Sequence, residues 1–131
     1  MIRWIVAIVH IIANRPEEVV EWSEDPIYHK DSNGNQMWTV NGKYHNLNGP
    51  ALITLDTTEW WVNGQRHRVD GPAVENKNGT KCWYYRGARH CSTGPAMEFP
   101  WGVNYWYFHG TEVPCRTQQQ FERLLKLKVF W

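Results

Sequence analysis

The chain lacks most of what marks a protein for secretion, nucleic-acid binding or catalysis. Cysteine is scarce and odd in number: Cys82, Cys91 and Cys115 form neither an even framework nor a CxxC pair. That argues against a disulfide scaffold and for a reducing, cytoplasmic setting. Charge of one sign is missing too, with 14 basic against 13 acidic side chains and a formal net charge of +1. Such a balance leaves no electrostatic footprint for nucleic acid, so no nucleic-acid partner is expected. No Walker loop, dinucleotide fingerprint, HExxH or nucleophile elbow occurs. Glu59, Glu75 and Glu98 stand as single carboxylates, and His90 and Cys91, adjacent on an extended strand, would point to opposite faces. The expectation is a protein that is not an enzyme and carries no cofactor or metal.

Long hydrophobic runs are confined to one place. Met1 to Ala13 is apolar apart from Arg3 and His10. As a helix it would reach roughly 20 Å, short of the ~30 Å hydrocarbon core of a bilayer. A signal-peptide reading meets His10 inside the run and a poor cleavage site at Ile11-Ile12-Ala13-Asn14. The segment is expected to be a cap or a partner-binding stretch, with membrane contact through residues 1–13 as the competing reading.

What the chain has in excess is aromatic rings, with nine Trp, six Tyr and four Phe. They recur in one phrase. It reads Trp38-Thr39-Val40-Asn41-Gly42-Lys43-Tyr44-His45, ending Asn48-Gly49-Pro50-Ala51, then Trp60-Trp61-Val62-Asn63-Gly64-Gln65-Arg66-His67, ending Asp70-Gly71-Pro72-Ala73. A third copy runs Trp83-Tyr84-Tyr85-Arg86-Gly87-Ala88-Arg89-His90 to Gly94-Pro95-Ala96, and a fourth opens at Trp106-Tyr107-Phe108-His109-Gly110. Trp38, Trp60, Trp83 and Trp106 stand 22, 23 and 23 positions apart. So regular a period predicts stacked units, none of which can bury its apolar face alone.

Gly34, Gly79 and Gly102, with Asp56 in the shorter copy, precede their tryptophans by four positions. Each unit therefore reads as a strand from the Ala, a tight turn, a second strand carrying the Trp, and a longer loop. The fold class is mainly β: a single elongated, twisted antiparallel sheet of stacked ~22–23-residue hairpins. Residues 1–26 would cap one end, with Glu17 to Trp22 as a degenerate strand. Residues 27–113 would form the array, beginning with a decayed unit from Pro26-Ile27 to Gly34. Residues 114–131 would close it, because Thr117-Gln118-Gln119-Gln120 reads as a capping box opening a helix with Phe121, Leu124 and Leu125 on one face.

Alternation assigns faces. Trp38/Val40, Trp60/Val62, Trp83/Tyr85 and Trp106/Phe108 fall on one, read as the core stripe. Trp61, Tyr84 and Tyr107 fall on the other, which varies between copies and reads as an exposed recognition face rimmed by Arg66, Arg68, Arg86 and Arg89. The alternative is that a terminal segment covers this face. His45, His67 and His90 occupy equivalent places, but strands ~4.8 Å apart put them about 9 to 10 Å from one another, too far for one zinc ion. They read instead as pins for the long loop. The basic run around them suits an anionic ligand or an acidic partner.

The phrase Trp-x-Asn-Gly-x-x-His at this period resembles the MORN repeat, and the ending His67 to Ala73 is similar to a variant found in small phage and large-virus proteins. The chain places Asn46, Arg68 or Cys91 where a MORN repeat has Gly after the His. The resemblance implies a stacked-hairpin sheet and a phage protein that engages or inhibits a host factor, such as a defence component, in the host cytoplasm. The alternatives are a sponge for a small anionic ligand such as a nucleotide, and a membrane-peripheral adaptor. Val129-Phe130-Trp131 is apolar beyond the needs of the helix and suits contact with a second copy.

Overall fold

The computed structural model describes residues 25–127. The expectations for Met1 to Ala13, for Glu17 to Trp22 and for Val129-Phe130-Trp131 lie outside the described residues. Within them the protein is mainly β, with one helix at the C-terminal end. No helix among these residues is long and apolar enough to cross a membrane.

Strands β1 (Ile27–Lys30) and β2 (Gln36–Val40) open the domain as an antiparallel hairpin. Its turn forms because the Asp31 carboxylate accepts from the backbone N–H of Asn33 at 2.9 Å and Asn35 at 3.0 Å. Strand β2 then folds back through Asn41-Gly42 into β3 (Lys43–Tyr44). In the next copy β4 (Leu52–Ile53) pairs with β5 (Thr57–Glu59), and past Trp60 the chain makes a second hairpin, β6 (Trp61–Val62) with β7 (Gln65–Arg66). The third copy repeats this with β8 (Val74–Asn76), β9 (Lys81–Cys82), β10 (Tyr84–Tyr85) and β11 (Ala88–Arg89). The fourth has β12 (Met97–Glu98), an unbroken β13 (Asn104–Phe108) and β14 (Thr111–Val113).

The return after the tryptophan is thus a hairpin of its own. The sequence reading had assigned a loop there. Its turn residues explain why a hairpin forms: Asn41, Asn63, Arg86 and His109 sit at φ 46–51°, each followed by a glycine at φ 76–83°. Two successive positive φ values make a type I′ turn, whose twist matches that of the strands it joins. The single sheet of the sequence reading is correspondingly divided. Ten strands form one sheet in the order β1-β2-β4-β5-β8-β9-β12-β13-β14, with β3 on β2, while β6-β7 and β10-β11 are separate two-stranded sheets.

The tryptophans stand at the corner between the two tiers. The N–H groups of Trp38, Trp60 and Trp83 donate to the carbonyls of Ala51, Ala73 and Ala96 at 2.8, 2.7 and 2.8 Å. Their own carbonyls accept from the N–H of His45, His67 and His90 at 2.9, 3.0 and 3.1 Å. The backbone of one residue therefore serves a different strand on each side, which accounts for the break after Glu59 and after Cys82. Ala51, Ala73 and Ala96 are fully buried, so a larger side chain there would have to displace packed neighbours.

Helix α1 (Gln118–Lys126) starts where the sequence indicated. Thr117 Oγ1 accepts from the Gln120 N–H at 3.2 Å, and Gln120 Oε1 reaches back to the Arg116 N–H at 2.8 Å. Arg123 and Lys126 in the last turn suit the negative end of the helix dipole. Its apolar side closes a hydrophobic core in which Trp106, Phe108, Val113 and Phe121 are buried with Cys115, Leu124 and Leu125 packed against them.

That core corrects the uniform stripe read from alternation. Trp106 and Phe108 are buried under α1, but Trp38, Val40, Trp60, Val62, Trp83 and Tyr85 are only half-buried. Their cover is local. Tyr28 lies 5.1 Å from the Trp38 ring, and the Arg68 guanidinium lies 3.9 Å above Trp60.

Candidate functional site

The second hairpins bring one side chain per strand into a row. Strand register pairs Trp61 with Arg66, Tyr84 with Arg89, and Tyr107 with Glu112. Backbone bonds join one copy to the next: the Gly64 N–H to the Tyr44 carbonyl, the Gly87 N–H to the Arg66 carbonyl, and the Gly110 N–H to the Arg89 carbonyl, at 2.8–2.9 Å. The order across the strands is Tyr44, Trp61, Arg66, Tyr84, Arg89, Tyr107, Glu112. Ring and cation alternate through its middle.

The contacts along the row are direct. Tyr44 and Trp61 rings lie 5.4 Å apart. The Arg66 guanidinium sits 4.9 Å from the Trp61 ring and 5.6 Å from the Tyr84 ring, and that of Arg89 sits 5.4 Å from Tyr107. Such cation–ring contacts are worth about 0.5–1 kcal/mol near a surface and more when water is excluded. Beneath the row Glu59, only 7% exposed, accepts at one carboxylate oxygen from both Trp61 Nε1 at 2.9 Å and Arg66 Nε at 3.0 Å. A buried carboxylate needs this double partnership. Arg89 Nε reaches the Tyr84 hydroxyl at 3.4 Å, and hydrogen bonds with the Tyr84 and Tyr107 hydroxyls push the Arg89 pKa up despite its partial burial. Cys82 is 7% exposed, and burial pushes its thiol pKa up while Arg89 and Arg66 pull the other way.

Of the site residues named from sequence, Trp61, Tyr84, Tyr107, Arg66 and Arg89 come together in this row, all half-buried. Two do not belong to it. Arg68 is the residue over Trp60, with its Nε on Asp70 Oδ1 at 3.0 Å and Nη1 on the Pro72 carbonyl at 3.1 Å. It takes the place that Asn46 takes one copy earlier, where Nδ2 donates to the Pro50 carbonyl. Its role is to tie down the Gly-Pro-Ala loop. Arg86 stands at a left-handed turn position, exposed, 5.6 Å from the Tyr85 ring on the opposite face. Alternation along a strand was a sound guide for the rings. It failed for these arginines because one follows the strand end and the other is a turn residue.

The histidines form a second ladder. His45 Nδ1 accepts from the Asn63 N–H, His67 Nδ1 from the Arg86 N–H and His90 Nδ1 from the His109 N–H, at 3.0, 3.0 and 2.9 Å. Each ring thereby pins the left-handed turn residue of the following copy, where the sequence reading had it pin its own loop. An accepting Nδ1 puts the neutral ring's proton on Nε2. In His45, 1% exposed, burial lowers the pKa, and Nε2 has no hydrogen-bond partner among the described residues. No group of three or more His, Cys, Asp or Glu among those residues gathers closely enough to hold a metal ion.

Three features escaped the sequence reading. Tyr44 and Glu59 belong with the row, and only cross-strand register reveals it. Trp101, 65% exposed, stacks on Phe99 at 4.8 Å in the turn between β12 and β13. Compared with known proteins, the chain matches no family model, no curated protein and no solved structure.

Proposed function

We propose that this is a non-enzymatic binding protein whose recognition surface is the row Trp61, Arg66, Tyr84, Arg89, Tyr107. The copies act as units of one elongated, twisted MORN-like stack, with α1 as the cap at one end. The work of folding falls to the corner tryptophans, the buried alanines and the histidine pins, which recur. The row is what differs from copy to copy. It offers tyrosine, tryptophan and arginine, the residue types that dominate interface hot spots. The single observation that carries the reading is the continuous alternation of rings and guanidinium groups across the second hairpins.

The partner in this reading is a host protein met in the cytoplasm of an infected cell, as the resemblance to phage proteins implies. The test is affinity capture from host lysate with the parent chain and with a Tyr84→Ala, Arg89→Ala double variant whose fold is checked by circular dichroism. The parent should retain a partner that the folded variant loses. Equal capture by both would refute the row as the binding surface. A nucleotide released at one equivalent on heating the parent, and absent from the variant, would replace the protein partner by a small anionic ligand.

A further inference from the structure

The row has a chemistry and a spacing that narrow what it can recognise, if it is the recognition surface proposed above. Arg66 and Arg89 are equivalent residues of successive copies, two strand steps apart. At about 4.8 Å per step their backbones lie about 10 Å from each other. Among the described residues the side-chain hydrogen bonding of Arg66 is confined to its Nε, held by Glu59. The terminal nitrogens of that fork have no hydrogen-bond partner among the described residues, and 38% of the side chain is exposed. Arg89 is oriented by the Tyr84 hydroxyl through Nε and hydrogen-bonds the Tyr107 hydroxyl as well. Each guanidinium is therefore held by the row and keeps N–H donors beyond those bonds, which suits receiving a carboxylate. Between them lies the Tyr84 ring. Uncharged Tyr44 closes one end of the row, and Glu112, exposed and paired in register with Tyr107, closes the other with a negative charge.

We propose that the row binds an acidic segment of a partner protein in the polyproline II conformation, laid across the strands, with two carboxylates three residues apart on Arg66 and Arg89. A polyproline II chain turns once in three residues and advances about 3.1 Å per residue, so side chains three apart share a face about 9 Å from each other, close to the spacing of the backbones that carry the two arginines. A spacing of two residues falls about 3 Å short and turns the second side chain away. The residues between the carboxylates rest on Tyr84, where an apolar side chain is favoured over a charge. Arg89, which pairs with no carboxylate among the described residues, supplies the net positive charge, Arg66 adds its remaining N–H donors while its charge is balanced by Glu59, and Glu112 rejects a third carboxylate beyond Tyr107.

The test is selection from a random dodecapeptide library displayed on an unrelated carrier, with the full chain as bait. The expected result is enrichment of Asp or Glu pairs at a spacing of three, with an apolar residue between them. Affinity of the best peptide should fall at least tenfold for Arg89→Gln, a change that removes no partner from the buried Glu59. Circular dichroism confirms that the variant is folded. Lys77→Gln, an exposed change of the same charge in the turn between β8 and β9 and outside the row, serves as a control and should bind within about twofold of the parent. Enrichment without acidic preference, acidic pairs at a spacing of two or seven, no enrichment over an unrelated domain, or equal binding by folded Arg89→Gln would each overturn the proposal. The wider binding reading fails on a different result, when the Tyr84→Ala, Arg89→Ala variant captures the host partner as well as the parent does.

Discussion

His45 offers the most searching check on how the copies are coupled. Its imidazole is 1% exposed and accepts the Asn63 N–H at 3.0 Å, while its own Nε2–H is buried without a partner among the described residues. Replacement by alanine removes a fully buried ring and should cost about 3 kcal/mol, near the lower end for large-to-small changes at aromatic sites. Replacement by phenylalanine keeps most of the packing, loses the acceptor and also removes the orphan donor. Asn63 lies at the surface, so water can take its freed N–H, and His45→Phe should cost about 1 kcal/mol at neutral pH. The sign of the pH effect follows from the lowered pKa. The unfolded chain takes up a proton near the ordinary value of 6.5, and the folded ring does so only at lower pH because of its burial. The stability from this site is fully present above that value and is lost as the pH falls below it toward the folded pKa. One histidine contributes a slope of at most about 1.4 kcal/mol per pH unit. Urea unfolding at about pH 7.5 and about pH 5 should therefore show the deficit of His45→Phe shrinking in acid or changing sign. A deficit that stays constant between the two pH values would refute the buried, neutral, proton-accepting assignment.

Other outcomes follow from burial. Ala73→Val inserts two methyl groups where nothing is exposed and should destabilise by about 1–3 kcal/mol in urea melts. Trp106→Ala empties the core beneath α1 and should cost about 3–5 kcal/mol, whereas Trp60→Ala, half-buried under Arg68, should cost less. Trp61→Ala strands part of the Glu59 partnership and should cost about 1–2 kcal/mol by the same assay. Burial also pushes the Cys82 thiol up. Alkylation followed by mass spectrometry should find it modified much more slowly in the native protein than in urea at the same pH.

Period and residue type made a good part of this arrangement legible before any coordinates. The Thr117 cap and the inward set Phe121, Leu124 and Leu125 could be read because a capping box and a helical stripe are local signals. The turn from Asp31 to Gly34 was legible for the same reason. The second hairpin was missed although Asn41-Gly42 and Asn63-Gly64 are strong type I′ pairs. Arg86-Gly87 and His109-Gly110 are weak ones, and the repeat hid the signal by averaging over the copies. Alternation placed Trp61, Tyr84 and Tyr107 together but gave no information on depth, since α1 covers the opposite face only at the fourth copy. Arg68 could not be placed from strand periodicity, because it follows β7 and turns back onto a ring on the other side.

The corner geometry explains how the row can differ from copy to copy without disturbing the fold. At each corner the tryptophan backbone donates to one tier and accepts from the other, and the histidine ring then holds the next turn. Neither contact uses a side chain of the row. The copies are thus joined by backbone groups and by imidazoles that point away from it. The row side chains add local contacts, Trp61 and Arg66 sharing Glu59 and Arg89 meeting Tyr84, and weaker ring contacts to the next copy, Tyr44 on Trp61, Arg66 on Tyr84 and Arg89 on Tyr107. Changing a ring or a guanidinium there alters one or two contacts worth about 1 kcal/mol each. Changing a corner alanine or a pinning histidine breaks the connection between copies. Surface chemistry and coupling are carried by different atoms of the same strands. A short, half-buried row can therefore vary while four tryptophans keep their 22- and 23-residue spacing.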